Sequence, residues 1–260
     1  MANQVETINE SVKIAHAPGA KANVVVFGGL VKRSGYSVPD FELVDEIASL
    51  PYNAIFLKDS TRRWYNLGVK GVSDSFEGTT AYIEELIEDK FGDEDLPLVT
   101  VGASMGGYAA VGIGEQLGAR FALSIAPQTV ISLEARTRLR DNRWKADFEF
   151  FKPRCADLRY ILKGRIEKLK IVVGTENVPD IIQAANLAGA RGVSIDFVKG
   201  ADHDVLRAWS ANGDLARIIA DYIENGLTGD HELEAPETDD AGLVDAQPTT
   251  EAEALEPARN

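Results

Sequence analysis

The chain of 260 residues has little sulfur and little imidazole: one cysteine, Cys155, and three histidines, His16, His203 and His231. A lone thiol cannot close an internal disulfide or build a Cys-based metal cluster, and with no paired motif around it Cys155 reads as a packing residue. Three scattered imidazoles leave no His-rich metal site, so neither a metal nor a cofactor is expected. No apolar run approaches the roughly 18 residues that span a bilayer. The opening Met-Ala-Asn-Gln-Val-Glu-Thr has neither a basic nor an apolar signal region, so the expectation is a soluble, cytoplasmic protein without a membrane span. Basic residues are in the minority, 27 Lys and Arg against 41 Asp and Glu for a net charge of -14, a balance that argues against a nucleic-acid partner. There is no G-x-x-x-x-G-K-[ST] phosphate loop and no internal repeat.

What the chain does contain is apolar material, 45% of residues, enough for one substantial core and short for a second domain. Its charge is unevenly placed. Residues 229–260 carry ten acids and one Arg without sustained apolar periodicity, so residues 228–260 read as an acidic, disordered tail behind a domain over 1–227. Residues 134–170 run the other way, with twelve Lys or Arg against six acids. Arg136, Arg138, Arg140 and Arg143 form the densest cluster, and Trp144, Phe148, Phe150, Phe151 and Tyr160 add an apolar face. Over the insertion at about 128–168 this reads as a short basic, aromatic lid, suited to an anionic or polar acylated substrate.

The hydrophobic pattern places strands at 12–16, 23–27, 53–58, 98–102, 121–126, 170–174 and 193–198, and helices at 40–49, 75–90, 106–117, 179–189 and 204–225. Alternation of this kind predicts an α/β protein of three layers, a mostly parallel sheet with helices on both faces. Ligands of such sheets bind at the carboxyl ends of the strands. The segment Gly102-Ala103-Ser104-Met105-Gly106 falls at one of these ends, between the apolar run Leu98-Val99-Thr100-Val101 and the small-residue helix that begins near Gly107. A G-x-S-x-G turn between strand and helix puts a serine on a strained, exposed corner, and this marks Ser104 as a nucleophile.

A serine hydroxyl needs a base. His203 follows the strand at 193–198 and precedes a helix, whereas His16 and His231 have no rigid element to aim them. The acid belongs in the loop after the strand at 170–174, which reads Gly174-Thr175-Glu176-Asn177-Val178-Pro179-Asp180. Asp180 is the first choice and Glu176 the second. Asp180 also stands where an acid complements a helix dipole, an alternative that needs no chemistry. The oxyanion of an acyl-transfer step requires preorganised donors: the backbone N–H of Met105, and one from Gly29 or Leu30 after the strand at 23–27.

With Lys58-Asp59, Trp64-Tyr65-Asn66, Ala126-Pro127-Gln128 and Gly200-Ala201-Asp202-His203-Asp204, these residues resemble the α/β-hydrolase superfamily over residues 10–226, within it a group of small bacterial hydrolases. The resemblance implies a serine hydrolase that cleaves a carboxylic ester or thioester, or transfers the acyl group to another acceptor, through an acyl-enzyme on a small-molecule or acylated substrate. Many such hydrolases carry Asp where this chain has Asn177, which keeps open an inactive binding or scaffold protein on the same fold. Serine at the nucleophile position disfavours dehalogenation. Ending the chain at Gly229 is expected to leave the melting temperature and ester turnover nearly unchanged; a loss of several degrees would mean that the acidic segment packs on the domain.

Overall fold

In the strands Asn23–Phe27, Asn53–Leu57 and Phe121–Ile125 every residue is buried, as expected of strands covered on both faces. The computed structural model describes residues 2–33, 36–92, 95–144 and 157–229. Its strands are β1 Val5–Asn9, β2 Val12–Ala15, β3 Asn23–Phe27, β4 Leu30–Arg33, β5 Tyr36–Pro39, β6 Asn53–Leu57, β7 Leu98–Ala103, β8 Phe121–Ile125, β9 Lys168–Gly174 and β10 Val193–Val198. The helices are α1 Val44–Ala48, α2 Phe76–Phe91, α3 Met105–Leu117, α4 Leu133–Arg138, α5 Val178–Ala185, α6 Val205–Asn212 and α7 Leu215–Thr228. Eight strands form one sheet in the order β1-β2-β6-β3-β7-β8-β9-β10. β2 runs against both neighbours, and every pairing from β6 to β10 is parallel.

Alternate residues of one strand serve opposite faces. Val25 and Phe27 of β3 join the core built with Tyr108, Val111 and Ile113 of α3 and Ile83 of α2. Val24 and Val26 join the other core, with Ile47 of α1 and Ile219 and Ile223 of α7. The parallel crossovers therefore send the residues after β3, β7, β8, β9 and β10 to the same edge of the sheet.

The structure departs from the pattern of apolar residues at several points, α4 among them. β1 is an edge strand with little burial, and β4 and β5 form a separate two-stranded pair. The helix expected at 40–49 is confined to Val44–Ala48, because Leu43 takes φ 57°. The helix expected at 204–225 is two helices: Gly213 is extended, and the Asp214 side chain accepts the Arg217 N–H to start α7 afresh. No helix among the described residues is long and apolar enough to cross a membrane. The residues read as a tail from Asp230 onward, and the stretch 145–156 with Cys155, Phe148, Phe150 and Phe151, lie outside the described residues.

Because Ile223 is fully buried on the α7 face, Ile223→Ala is expected to lower unfolding free energy by about 2–5 kcal/mol, read as a shifted urea midpoint at unchanged slope. A change well below that range would show that the α7 core collapses around the vacancy.

Candidate active site

Three backbone contacts shape the corner between β7 and α3. Ser104 has φ 54° and ψ -115°, a region that side chains rarely adopt and that persists only where packing enforces it. A Cβ on Gly106 would stand 1.9 Å from the Phe27 carbonyl oxygen, and one on Gly102 would stand 2.3 Å from that of Gly106. β3, β7 and α3 thus approach backbone to backbone, which only glycine permits. The Ser104 N–H donates to the Ile125 carbonyl at 2.8 Å, anchoring the corner to β8.

From this corner a hydrogen-bonded line runs to the loops after β9 and β10. Ser104 Oγ lies 3.0 Å from His203 Nε2, and His203 Nδ1 lies 2.7 Å from Asp180 Oδ2. Asp180 is fully buried in the first turn of α5, with its N–H capped by Asn177 Oδ1. Glu176, the second choice for the acid, is exposed and pairs with its neighbour Thr175; it stands apart from this line. Of the other histidines, His16 stacks on Phe91 and His231 lies outside the described residues.

Gln128, the last residue of the Ala126-Pro127-Gln128 segment after β8, was not assigned to the site by the sequence. Its Nε2 donates to Ser104 Oγ at 3.2 Å, and its Oε1 accepts the Trp64 indole N–H at 3.1 Å. An indole N–H can only donate, so the oxygen must face Trp64 and the NH₂ must face Ser104. Trp64 is held in turn by the loop that Asp59 folds: the buried Asp59 carboxylate accepts the backbone N–H groups of Thr61, Arg63 and Tyr65.

The basic segment requires a correction. Arg136 is buried and pairs with buried Asp141 at 3.1 Å, and it also donates to the carbonyls of Val130 and Arg143. Arg143 donates to Asp141 and, at 2.6 Å, to Asp180 Oδ1, the oxygen that His203 leaves unused. Two of the four arginines expected to face a substrate are therefore engaged inside, Arg143 with Asp180 directly and Arg136 through Asp141. Arg138 pairs with Glu134 in solvent, and Arg140 is exposed. The inner ends of the lid segment also belong to the core, since Gln128, Thr129, Ile131 and Leu158 are fully buried. Burial pushes the Asp141 carboxyl up, but hydrogen bonds from Arg143 and Gln183 and the charges of Arg136 and Arg143 outweigh it and hold the group down at about 2.

A cavity of about 400 Å³ opens over Ser104 and His203, lined also by Leu30, Glu42, Ile125 and Trp144. Met105 opens α3, where no intrahelical acceptor exists for its N–H. Leu30 begins β4 at the cavity wall. The Gly29 N–H donates to Glu42 Oε2 at 2.6 Å.

No protein-family model and no curated protein sequence matches the chain. Solved structures are similar in fold. A capsule O-acetyltransferase of Neisseria meningitidis serogroup A superposes with a TM-score of 0.56 at 14% identity, over 84% of this chain and 92% of that one. An esterase/lipase from an uncultured bacterium gives 0.55 at 17%, over 86% and 85%. The Pyrococcus horikoshii acylaminoacyl peptidase gives 0.59 at 14%, over 89% of this chain and 43% of that longer one.

Asp141→Asn leaves Arg136 as a buried cation without its counter-ion and is expected to destabilise the fold by about 3 kcal/mol near neutral pH. The depressed Asp141 carboxyl contributes stability that is fully present above its ordinary value of 3.8 and is lost as pH falls through about 2. Melting curves of the parent and the variant should therefore converge between pH 4 and pH 2. Parallel curves would mean that Asp141 is not the group titrating.

Proposed function

From the α/β-hydrolase fold that this chain has, we propose that it is a serine hydrolase acting on a carboxylic ester or thioester through an acyl-enzyme. The observation that carries the reading is the line Ser104, His203, Asp180, with a 3.0 Å and a 2.7 Å contact on the two nitrogens of one imidazole. Ser104 Oγ attacks the carbonyl carbon while His203 Nε2 takes its proton, and the carbonyl electron pair moves to oxygen. Asp180, buried and backed by Arg143, holds the Nδ1 proton and stabilises the imidazolium that forms. The Met105 N–H supports the oxyanion. His203 then returns the proton to the leaving alkoxide or thiolate, and water repeats the sequence on the acyl-enzyme.

Transfer of the acyl group to an acceptor other than water uses the same residues up to the acyl-enzyme, and likeness to an O-acetyltransferase keeps it as the second reading. Product analysis with and without an added alcohol acceptor separates the two.

Ser104→Ala and His203→Ala are each expected to lower kcat for a short p-nitrophenyl ester by on the order of 10⁴-fold or more, with the double variant little worse than either. Ser104→Ala should also abolish labelling by a fluorophosphonate. Gln128→Ala, which removes one neutral hydrogen bond to Oγ, is expected to cost no more than about tenfold. Undiminished turnover in Ser104→Ala would sink the mechanism.

A further inference from the structure

Glu42 stands where a negative charge opposes acyl transfer at Ser104, so the role assigned to it rests on the serine-hydrolase reading. Its carboxyl group lines the Ser104 cavity and accepts the Gly29 N–H at 2.6 Å. Gly29 lies against the nucleophile corner: a Cβ on it would be 2.6 Å from the carbonyl oxygen of Ala103, the residue before Ser104. The Gly29 backbone is thus packed against the corner that carries Ser104. The side chain is also held there. Leu43, the next residue, takes φ 57° with its own side chain buried in the core, so the backbone at Glu42 cannot swing outward without undoing the start of α1.

We infer that Glu42 controls the second oxyanion donor: in the free protein its carboxyl group holds the Gly29 N–H, and acyl transfer proceeds only while that carboxyl is neutral. An ionised carboxylate is a strong acceptor that keeps the N–H, and its charge repels the oxyanion at short range in a site partly closed to water. A neutral carboxyl is a weak acceptor, so the N–H passes to the more basic alkoxide, and the carboxyl O–H becomes a further donor to the same oxygen. No additional bond is made or broken. The proton on Glu42 comes from solvent and stays on Glu42 through the step.

The surroundings favour the neutral form. Asp40 stands on the same segment, and Asp202 and Asp204 line the cavity from the β10–α6 loop. Arg207 on that wall is turned to Asp202 and Asp204, at 3.4 and 3.7 Å. His203 is occupied by Ser104 and Asp180, and Lys58 and Lys13 lie over the neighbouring Phe41 ring. Burial first, with Asp204 and Asp40 adding to it and the Gly29 hydrogen bond opposing, brings the Glu42 carboxyl up to about 7.

The test is kcat/KM of the full chain for a neutral ester between pH 5.5 and 9, with melting temperatures taken at the same pH values. The parent is expected to fall above about pH 7, by about tenfold per unit. Glu42→Gln keeps an acceptor for Gly29 but does not titrate; it should rise to a plateau and exceed the parent by roughly a hundredfold at pH 9. A parent profile without a falling limb, or a Glu42→Gln profile that falls in parallel with the parent, overturns the inference and leaves the serine mechanism standing. Equal losses at every pH in Glu42→Gln and Glu42→Leu would mean that Glu42 only braces the Gly29 turn, which also overturns it. A parent with no Ser104-dependent turnover overturns both readings.

Discussion

The carboxyl edge of the sheet is organised around one steric requirement: three backbone segments must meet at Ser104 with no side chain between them. A Cβ at Gly106 would overlap the end of β3, and one at Gly102 would overlap the start of α3. Closure at these two points lets β3, β7 and α3 lock the serine at φ 54°, and the buried strands on either side supply the packing that holds the strained residue there. The positions of Gly29, Gln128 and His203 relative to Oγ all follow from that corner, since each leaves a strand in register with β7 directly or through its neighbours.

Behind the edge lies a different kind of constraint. Arg136, Asp141, Arg143 and Asp180 form an alternating series of charges, three of them almost wholly buried. Removing charges from water is costly unless each finds a partner, and here Asp141 meets Arg136, Arg143 and Gln183 while Asp180 meets Arg143 and His203. The series ties the segment after β8 to α5, so the acid is positioned by residues from both sides of the sequence. A buried ion network contributes little net stability compared with an apolar core, and its value in this protein is geometric: it prevents Asp180 from rotating away from His203.

The strands and the reactive corner were legible because they depend on local pattern. A run such as Asn23-Val-Val-Val-Phe27 permits one environment, and glycines two positions either side of a serine after such a run permit one kind of turn. His203 could be read from chain order once the last strands were placed, whereas chain order left Asp180 and Glu176 both open for the acid. Glu42 could not, since it reaches Gly29 across 13 positions with no motif to announce it, and the segment that contains Gln128 did not say that its side chain reaches Ser104 across 24 positions. The arginines misled for a related reason: charge density does not say which face a side chain takes. Arg136 and Arg138 sit two residues apart on α4, a spacing that turns them to different sides of a helix, one buried and one in solvent. Asp141 between Arg136 and Arg143 was the available sign that some of this charge was neutralised inside.

The contact between Trp64 and Gln128 has a consequence for the serine that distance alone does not convey. An indole N–H can only give a hydrogen bond and a carboxylate can only receive one, so the series Trp64, Gln128, Ser104, His203, Asp180 has a fixed polarity from its first member to its last. Every hydrogen in it points toward Asp180. The Ser104 hydroxyl has the imidazole as its nearer acceptor, at 3.0 Å against 3.5 Å to Gln128 Oε1, and when it donates there the imidazole carries its own proton on Nδ1. Four hydrogen-bond dipoles aligned head to tail toward one carboxylate polarise one another in the same sense. The series therefore orders its hydrogens in one direction, from the indole to the carboxylate.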